Sequence, residues 1–308
     1  MQIVTDRGVD LTPEQMEGLD LHFAPLRIEL EGKTYLSGVD ILPQEFYRKL
    51  EETTAYPLTS QPSPGDFAAI YRELAKTDPE ILSIHMSSGL SGTMHSALQA
   101  EELVPEAHIT YWDTKTLSVP AGWQVEAAAR ALQAGWAVKD ILAHLEEIHA
   151  KTEGIYTLAD LKYLIHGGRI SHLKGMMAIV LNIKPIIQVH KETGKYIDVG
   201  KERTLKRAIR AMAEIVAKKF NPFGKSRIQL LHGYNPEGLE LLKEALSEKM
   251  DCVFEPVTEI APVLGAHTGP SMVGMAAGPL SLFEPLYRKG SGNDPLTLET
   301  AGALAVNG

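Results

Sequence analysis

Apolar residues recur along this chain with two alternating spacings. Residues 2–6 form a short apolar run that closes on Asp6, and 81–86 form another; both read as buried strands. Residues 26–30 alternate apolar and polar, as a half-buried strand does, and Glu31-Gly32-Lys33 then turns the chain. Between these runs the spacing lengthens to the helical period, which predicts helices over 43–53, 64–76, 93–102, 121–133 and 138–151. Ser63 stands as N-cap and Pro64 at the first helical position of the second of these. A further strand, 109–113, also ends on an acid. This strand–helix alternation over the first 150 residues predicts an α/β fold with a doubly wound parallel sheet.

The pattern changes after residue 152. A strand over 154–158 precedes a short helix over 160–165. Residues 186–189 and 196–199 flank the turn signal Lys191-Glu192-Thr193-Gly194-Lys195, which reads as a hairpin. A helix over 204–219 carries Lys206, Arg207, Arg210, Lys218 and Lys219; a strand over 227–233 and a helix over 236–249 follow. Hairpins mixed with helices predict a second α/β domain with a mixed, partly antiparallel sheet. The expected division is 1–153, 154–290 and a loosely held tail, 291–308, that is small, polar and then Ala/Gly-rich.

Composition narrows the function classes. The 308 residues carry a formal net charge of −9, which disfavours nucleic acid and anionic membrane as general partners. The single cysteine, Cys252, excludes an intramolecular disulfide and a cysteine-based metal cluster. The first residues lack the charged and apolar regions of a secretory signal, and no run approaches 18 apolar residues, so a cytoplasmic protein without membrane insertion is expected.

Four segments could carry chemistry. Ser87-Ser88-Gly89-Leu90-Ser91-Gly92-Thr93 follows a buried strand and opens a helix. It reads either as a simple helix cap or as an anion site, in which glycines admit the ligand to the backbone and the helix N-terminus faces it. The absence of a lysine there argues against a nucleotide-phosphate cradle. Thr59-Ser60-Gln61-Pro62-Ser63-Pro64 is a stiff, hydroxyl-rich loop ahead of a helix. Leu264-Gly265-Ala266-His267-Thr268-Gly269-Pro270 holds a histidine that could meet an anion as a cation or a neutral donor, or sit in a surface loop. Gly167-Gly168-Arg169-Ile170-Ser171 presents a guanidinium, which Arg203 could join; either could equally be a solvated charge. The eleven histidines are scattered without metal-site spacing, and no metal is expected. Asp6 and Asp113 end parallel strands, where they could hold a cation, and read first as caps. No Gly-x-Ser-x-Gly elbow and no base partner for a nucleophile can be assigned.

In register, these segments resemble the DegV family of fatty-acid-binding proteins over about residues 1–288. The likeness rests on the Ile-Val-Thr-Asp strand, Thr-Ser-Gln-Pro-Ser, Ser-Ser-Gly-Leu-Ser-Gly-Thr, Gly-Gly-Arg-Ile-Ser, Leu-Asn-Ile-Lys-Pro-Ile-Ile and His-Thr-Gly-Pro. The resemblance implies a two-domain, non-catalytic carrier that needs no cofactor and buries one long-chain fatty acid between its domains. It implies that Thr59, Ser91, Gly92 and His267 hold the carboxylate. It implies a separate fatty acid kinase as partner, to which the acid is presented for acyl-phosphate formation in phospholipid metabolism, with Arg169 and Arg203 docking that kinase. Met176, Met177, Ile179, Met272 and Met275 are candidates to line the tail tunnel, because methionine adapts to irregular shapes. Arg7 departs from the family pattern, which has a small hydroxyl residue at that position.

The chemistry suits a carrier. About fourteen methylenes at roughly 0.8 kcal/mol each offer roughly 11 kcal/mol, and hydroxyls, an amide and a histidine satisfy the buried head. With no arginine assigned to the pocket, the hold is expected to be moderate. The alternative is a phosphotransferase or hydrolase acting on an acidic small molecule, with His267 as phosphoryl acceptor or general base.

Overall fold

The computed structural model describes residues 1–173 and 183–287. In the first half β1 (Gln2–Asp6) is paired in parallel with β2 (Leu21–Ala24), the short α1 (Pro13–Met16) lying between them. Next come β3 (Arg27–Leu30), β4 (Lys33–Leu36), α2 (Pro43–Glu52), β5 (Leu58–Ser60), α3 (Pro64–Ala75), β6 (Glu80–His85), α4 (Thr93–Glu101) and β7 (His108–Asp113). The order β2-β1-β6-β7 makes a four-stranded, all-parallel sheet. β6 is buried from Ile81 to His85, as a central strand covered on both faces should be. The expected cap of α3 is present as a capping box: the Ser63 hydroxyl accepts from the Asp66 amide and Asp66 accepts from the Ser63 amide. The turn at 31–33 carries positive φ at both Glu31 and Gly32.

A small antiparallel sheet, β4-β3-β5, is inserted between β2 and β6. It corrects the reading of 59–64 as loop throughout, because Leu58–Ser60 pairs with β3 and Thr59 stands opposite Ile28. Three residues bracketed by Pro57 and Pro62 are too short for a period to register. The Arg27 guanidinium holds Asp66 through two bonds of 2.9 Å, which ties this sheet to α3 and draws the Asp66 carboxyl down to about 2.

Helices α5 (Ser118–Gln133) and α6 (Val138–Lys151) connect to the second sheet. It comprises β8 (Glu153–Thr157), then β9 (Lys184–Val189) and β10 (Tyr196–Glu202) after α7 (Lys162–His166). α8 (Leu205–Phe220), β11 (Ser226–His232), α9 (Pro236–Ser247), β12 (Cys252–Phe254), β13 (Thr258–Glu259), α10 (Pro262–Thr268) and β14 (Val273–Pro279) complete it. The order is β10-β9-β8-β14-β11-β12, with β13 beside β11. β11 pairs in parallel with β12 and β13, and the remaining pairs are antiparallel. This is the mixed sheet expected, hairpin included. α8 turns Ile209, Met212, Ala213, Val216 and Phe220 inward, at helical spacing.

α5 is buried along nearly its whole length and joins the halves. Trp123 Nε1 donates to Gln229 on β11 at 2.7 Å, and Glu126 accepts from the fully buried Arg227 at 2.8 Å. Burial alone would push the Glu126 carboxyl up; the Arg227 and Arg130 guanidinium groups hold it below its ordinary value. Among the described residues no helix is long and apolar enough to cross a membrane. The expected tail over 291–308 lies outside the described residues, as do Met176, Met177 and Ile179.

Candidate functional site

The Ser/Gly loop leaves β6 and closes a single turn, in which the Ser91 amide donates to the Ser87 carbonyl at 3.1 Å. The Ser87 hydroxyl is consumed locally, donating to the Gly194 carbonyl at 2.8 Å, and Ser88 Oγ accepts from Lys115. Ser91 is differently placed. Its hydroxyl shares a 2.8 Å bond with Thr93 Oγ1 and lines a cavity of about 30 Å³. Gly89 of this loop serves packing between the halves. A side chain at Gly89 would overlap the Thr193 carbonyl, on the turn between β9 and β10. Gly92 sits behind the wall, where the Gln61 amide donates to its carbonyl at 3.2 Å and to Ser96 Oγ at 2.9 Å. Gln61, which was not singled out in the sequence, thereby joins the Thr59 segment to α4.

His267 occupies the last turn of α10, which corrects the surface-loop reading. Its Nε2 shares a 2.8 Å hydrogen bond with Thr59 Oγ1, across 208 residues of sequence. Its Nδ1 is buried with no partner. Burial, and secondarily the charge of Arg169, pull the imidazole down to about 3, so it is neutral at physiological pH. Of the two forms in which it was expected to meet an anion, the neutral one is populated.

Arg169 departs most from expectation. It follows Gly168, which is in the left-handed region (φ 74°), and its guanidinium lines the same cavity as Ser91 and His267. Nη1 donates to the Gly167 carbonyl at 2.6 Å and Nη2 to the Leu90 carbonyl at 3.3 Å. The pocket therefore does contain an arginine, brought in by a turn whose direction the sequence did not reveal. Arg203 is exposed, directly after β10 at the start of the β10–α8 connection, and is not among this cavity's lining residues. Met86, Leu90, Leu117, Tyr196, Val263 and Leu264 complete the wall.

A second cavity of about 40 Å³ lies against the face of the larger sheet, lined among others by Pro120, Gly154, Tyr156, Leu231, Met272 and Met275. Leu117, Tyr196 and Leu264 line both cavities, so the polar and the apolar space lie side by side across one shared wall. Met272 and Met275 thus line the apolar cavity. Burial pushes the Tyr196 phenol up to about 12, which keeps this shared wall uncharged.

Other candidate groups are spent on structure. Asp6 accepts from the Gly8 and Met86 amides and from His85 Nδ1, and Asp113 accepts from the Ser88 and Lys115 amides. Asp6, His85 and Ser83 form a relay in the order of a catalytic triad, which was not foreseen. All three side chains are fully buried and Ser83 is also bonded to Tyr71, so no substrate reaches them. Arg7 turns away from the head cavity and lies over the Phe23 ring at 4.1 Å. Among the described residues no three His, Cys, Asp or Glu side chains are grouped to hold a metal ion.

A polar cavity beside an apolar one is the candidate site of this α/β protein. The chain belongs to the DegV family, whose model matches residues 1–279. A DegV domain-containing protein of Deinococcus radiodurans is 33% identical over 277 residues, covering 90% of this chain and 95% of the relative. A DegV family protein from Thermus thermophilus, described for its fatty acid binding, superposes with a TM-score of 0.82 at 31% identity, covering 91% of this chain and 99% of that one. The fatty acid kinase B3 protein of Streptococcus pneumoniae, loaded with linoleic acid, shares the fold with a TM-score of 0.75 at 20% identity, covering 90% and 99%.

Proposed function

We propose that this protein binds one long-chain fatty acid between its 1–153 and 154–290 parts and presents the carboxylate to a fatty acid kinase. The observation that carries the binding reading is that a polar cavity and an apolar one lie side by side across the common wall of Leu117, Tyr196 and Leu264, which would have to part for one ligand to span both. Ser91 and His267, with Thr59 bonded to it, supply neutral hydrogen-bonding groups at the head and Arg169 supplies charge, while a role for the Gly92 amide rests on the motif resemblance. A carboxylate so placed keeps its charge, because donors and a cation compensate its lost water. The tail needs more than the cavity's 40 Å³, so the lining must swing out to admit it. Met272 and Met275, with unbranched side chains, do so at least cost.

No cofactor is needed for this role. The kinase partner is supported by the motif resemblance, by exposed Arg203 and by likeness of fold to the pneumococcal protein. The enzymatic alternative fares worse on geometry. A base with a pKa of about 3 takes up few protons at neutral pH, and no carboxylate stands behind His267 Nδ1 to orient it.

The test is calorimetric titration of delipidated protein with oleate and with oleyl alcohol. Saturable binding of the acid, with the alcohol at least tenfold weaker, is expected; equal affinities would reject the head-group assignment. Acyl-phosphate formation on adding a fatty acid kinase and ATP tests the second half.

A further inference from the structure

The segment 163–169, which runs from α7 to Arg169, touches the Leu90 and His267 walls of the head cavity and the residue that follows α10. Arg169 reaches the Leu90 carbonyl beside Ser91. Gly167 lies directly under the imidazole of His267, where any side chain would overlap Nδ1. Tyr163 packs on Gly269, just beyond α10. On the outside, the His166 ring is stacked on Tyr56, with centroids 3.5 Å apart and planes 12° apart. Tyr56 also meets Tyr163 edge-on at 5.6 Å. Tyr56 precedes Thr59 by three residues, with buried Pro57 between them, so the stack joins the Thr59 strand to the Arg169 segment.

We propose that Tyr56 and His166 are positioning residues, a latch that holds the Arg169 segment over the head cavity and sets the rate of ligand exchange. The inference rests on the fatty-acid reading. The head end is the way in and out, because Ser91, Arg169 and His267 are only partly buried, whereas Tyr156, Leu231 and Met275 at the tail end are buried. Neither latch ring lines the cavity. Their contact therefore contributes equally to the empty and the loaded protein and is lost only while the segment swings aside. A latch of this kind slows entry and exit by the same factor and leaves the dissociation constant unchanged.

The test is stopped-flow fluorescence of cis-parinaric acid binding to the delipidated full-length protein and its displacement by oleate. Tyr56→Ala and His166→Ala are each expected to speed association and dissociation together, by up to roughly tenfold for one ring pair. Their dissociation constants should stay within about twofold of the parent. Tyr56→Phe keeps the stack and should restore the parent rates. Thermal unfolding identifies any variant that fails to fold, and His166→Phe, which preserves a stacking ring, then replaces it. Unchanged rates in both alanine variants, or weaker binding carried by dissociation alone, would overturn the latch. Failure of the parent protein to bind the probe would overturn the fatty-acid reading itself.

Discussion

Acidifying the ligand-free protein charges the unfolded chain at His267 before it charges the folded one. The folded imidazole titrates at about 3, and an unfolded histidine at about 6.5. Between those values the unfolded state binds the extra proton, so stability falls as the pH falls. Each unit below about 6.5 removes roughly 1.4 kcal/mol, or about 2 kcal/mol by pH 5. Asp10 works in the opposite direction. Burial raises its carboxyl to about 7, against partial relief from Ser118 Oγ at 2.5 Å and the Ala261 amide at 3.0 Å. There the folded state holds the proton, so stability rises as the pH falls from about 7 towards 4. The total curve mixes both, and His267→Asn isolates the imidazole contribution. Urea unfolding of delipidated parent and variant at about pH 7.5 and 5 should show the parent losing about 2 kcal/mol more than the variant. NMR titration of the His267 ring reads the same quantity directly. Equal losses, or a ring that protonates near pH 6.5, would refute the burial argument.

Ser91→Ala and Thr59→Val each remove one group at the head, worth roughly 1.5–3 kcal/mol when it bonds a charged partner. Calorimetry should show fatty-acid affinity falling about tenfold to a hundredfold with the fold intact. Gly154→Val places a side chain whose Cβ lies 2.7 Å from Pro120 Cγ on the tail cavity wall; a panel of saturated acids should show the preferred length shifting shorter. Arg203→Ala should leave binding unchanged and slow acyl-phosphate formation by an added kinase; equal rates would make Arg203 a solvated charge.

What was legible in the chain followed locality. α3 announced itself by Ser63 and Pro64, and the β9–β10 hairpin by its turn, because both signals lie within a few residues of what they control. β14 was illegible. Its sequence, Val-Gly-Met-Ala-Ala-Gly-Pro, lacks the alternation of a strand and has Val273 as its one branched residue, and it is held between β8 and β11 by pairing with distant residues. α10 was hidden by its glycine and its brevity, although it delivers His267 to Thr59. The hydroxyl loop reads as a helix cap or an anion site, and the family resemblance singles out Ser91; the fold adds the physical difference, Ser91 lying on the cavity and Ser87 being spent on Gly194. Arg169 shows the same limit, since one left-handed residue at Gly168 decides which way its guanidinium faces.

Native mass spectrometry of the purified full-length protein tests the central claim most directly. The account predicts a population heavier by the mass of one long-chain fatty acid, removed by delipidation and restored one-to-one by oleate. A folded protein found only at its bare mass, and unchanged by oleate, would contradict it.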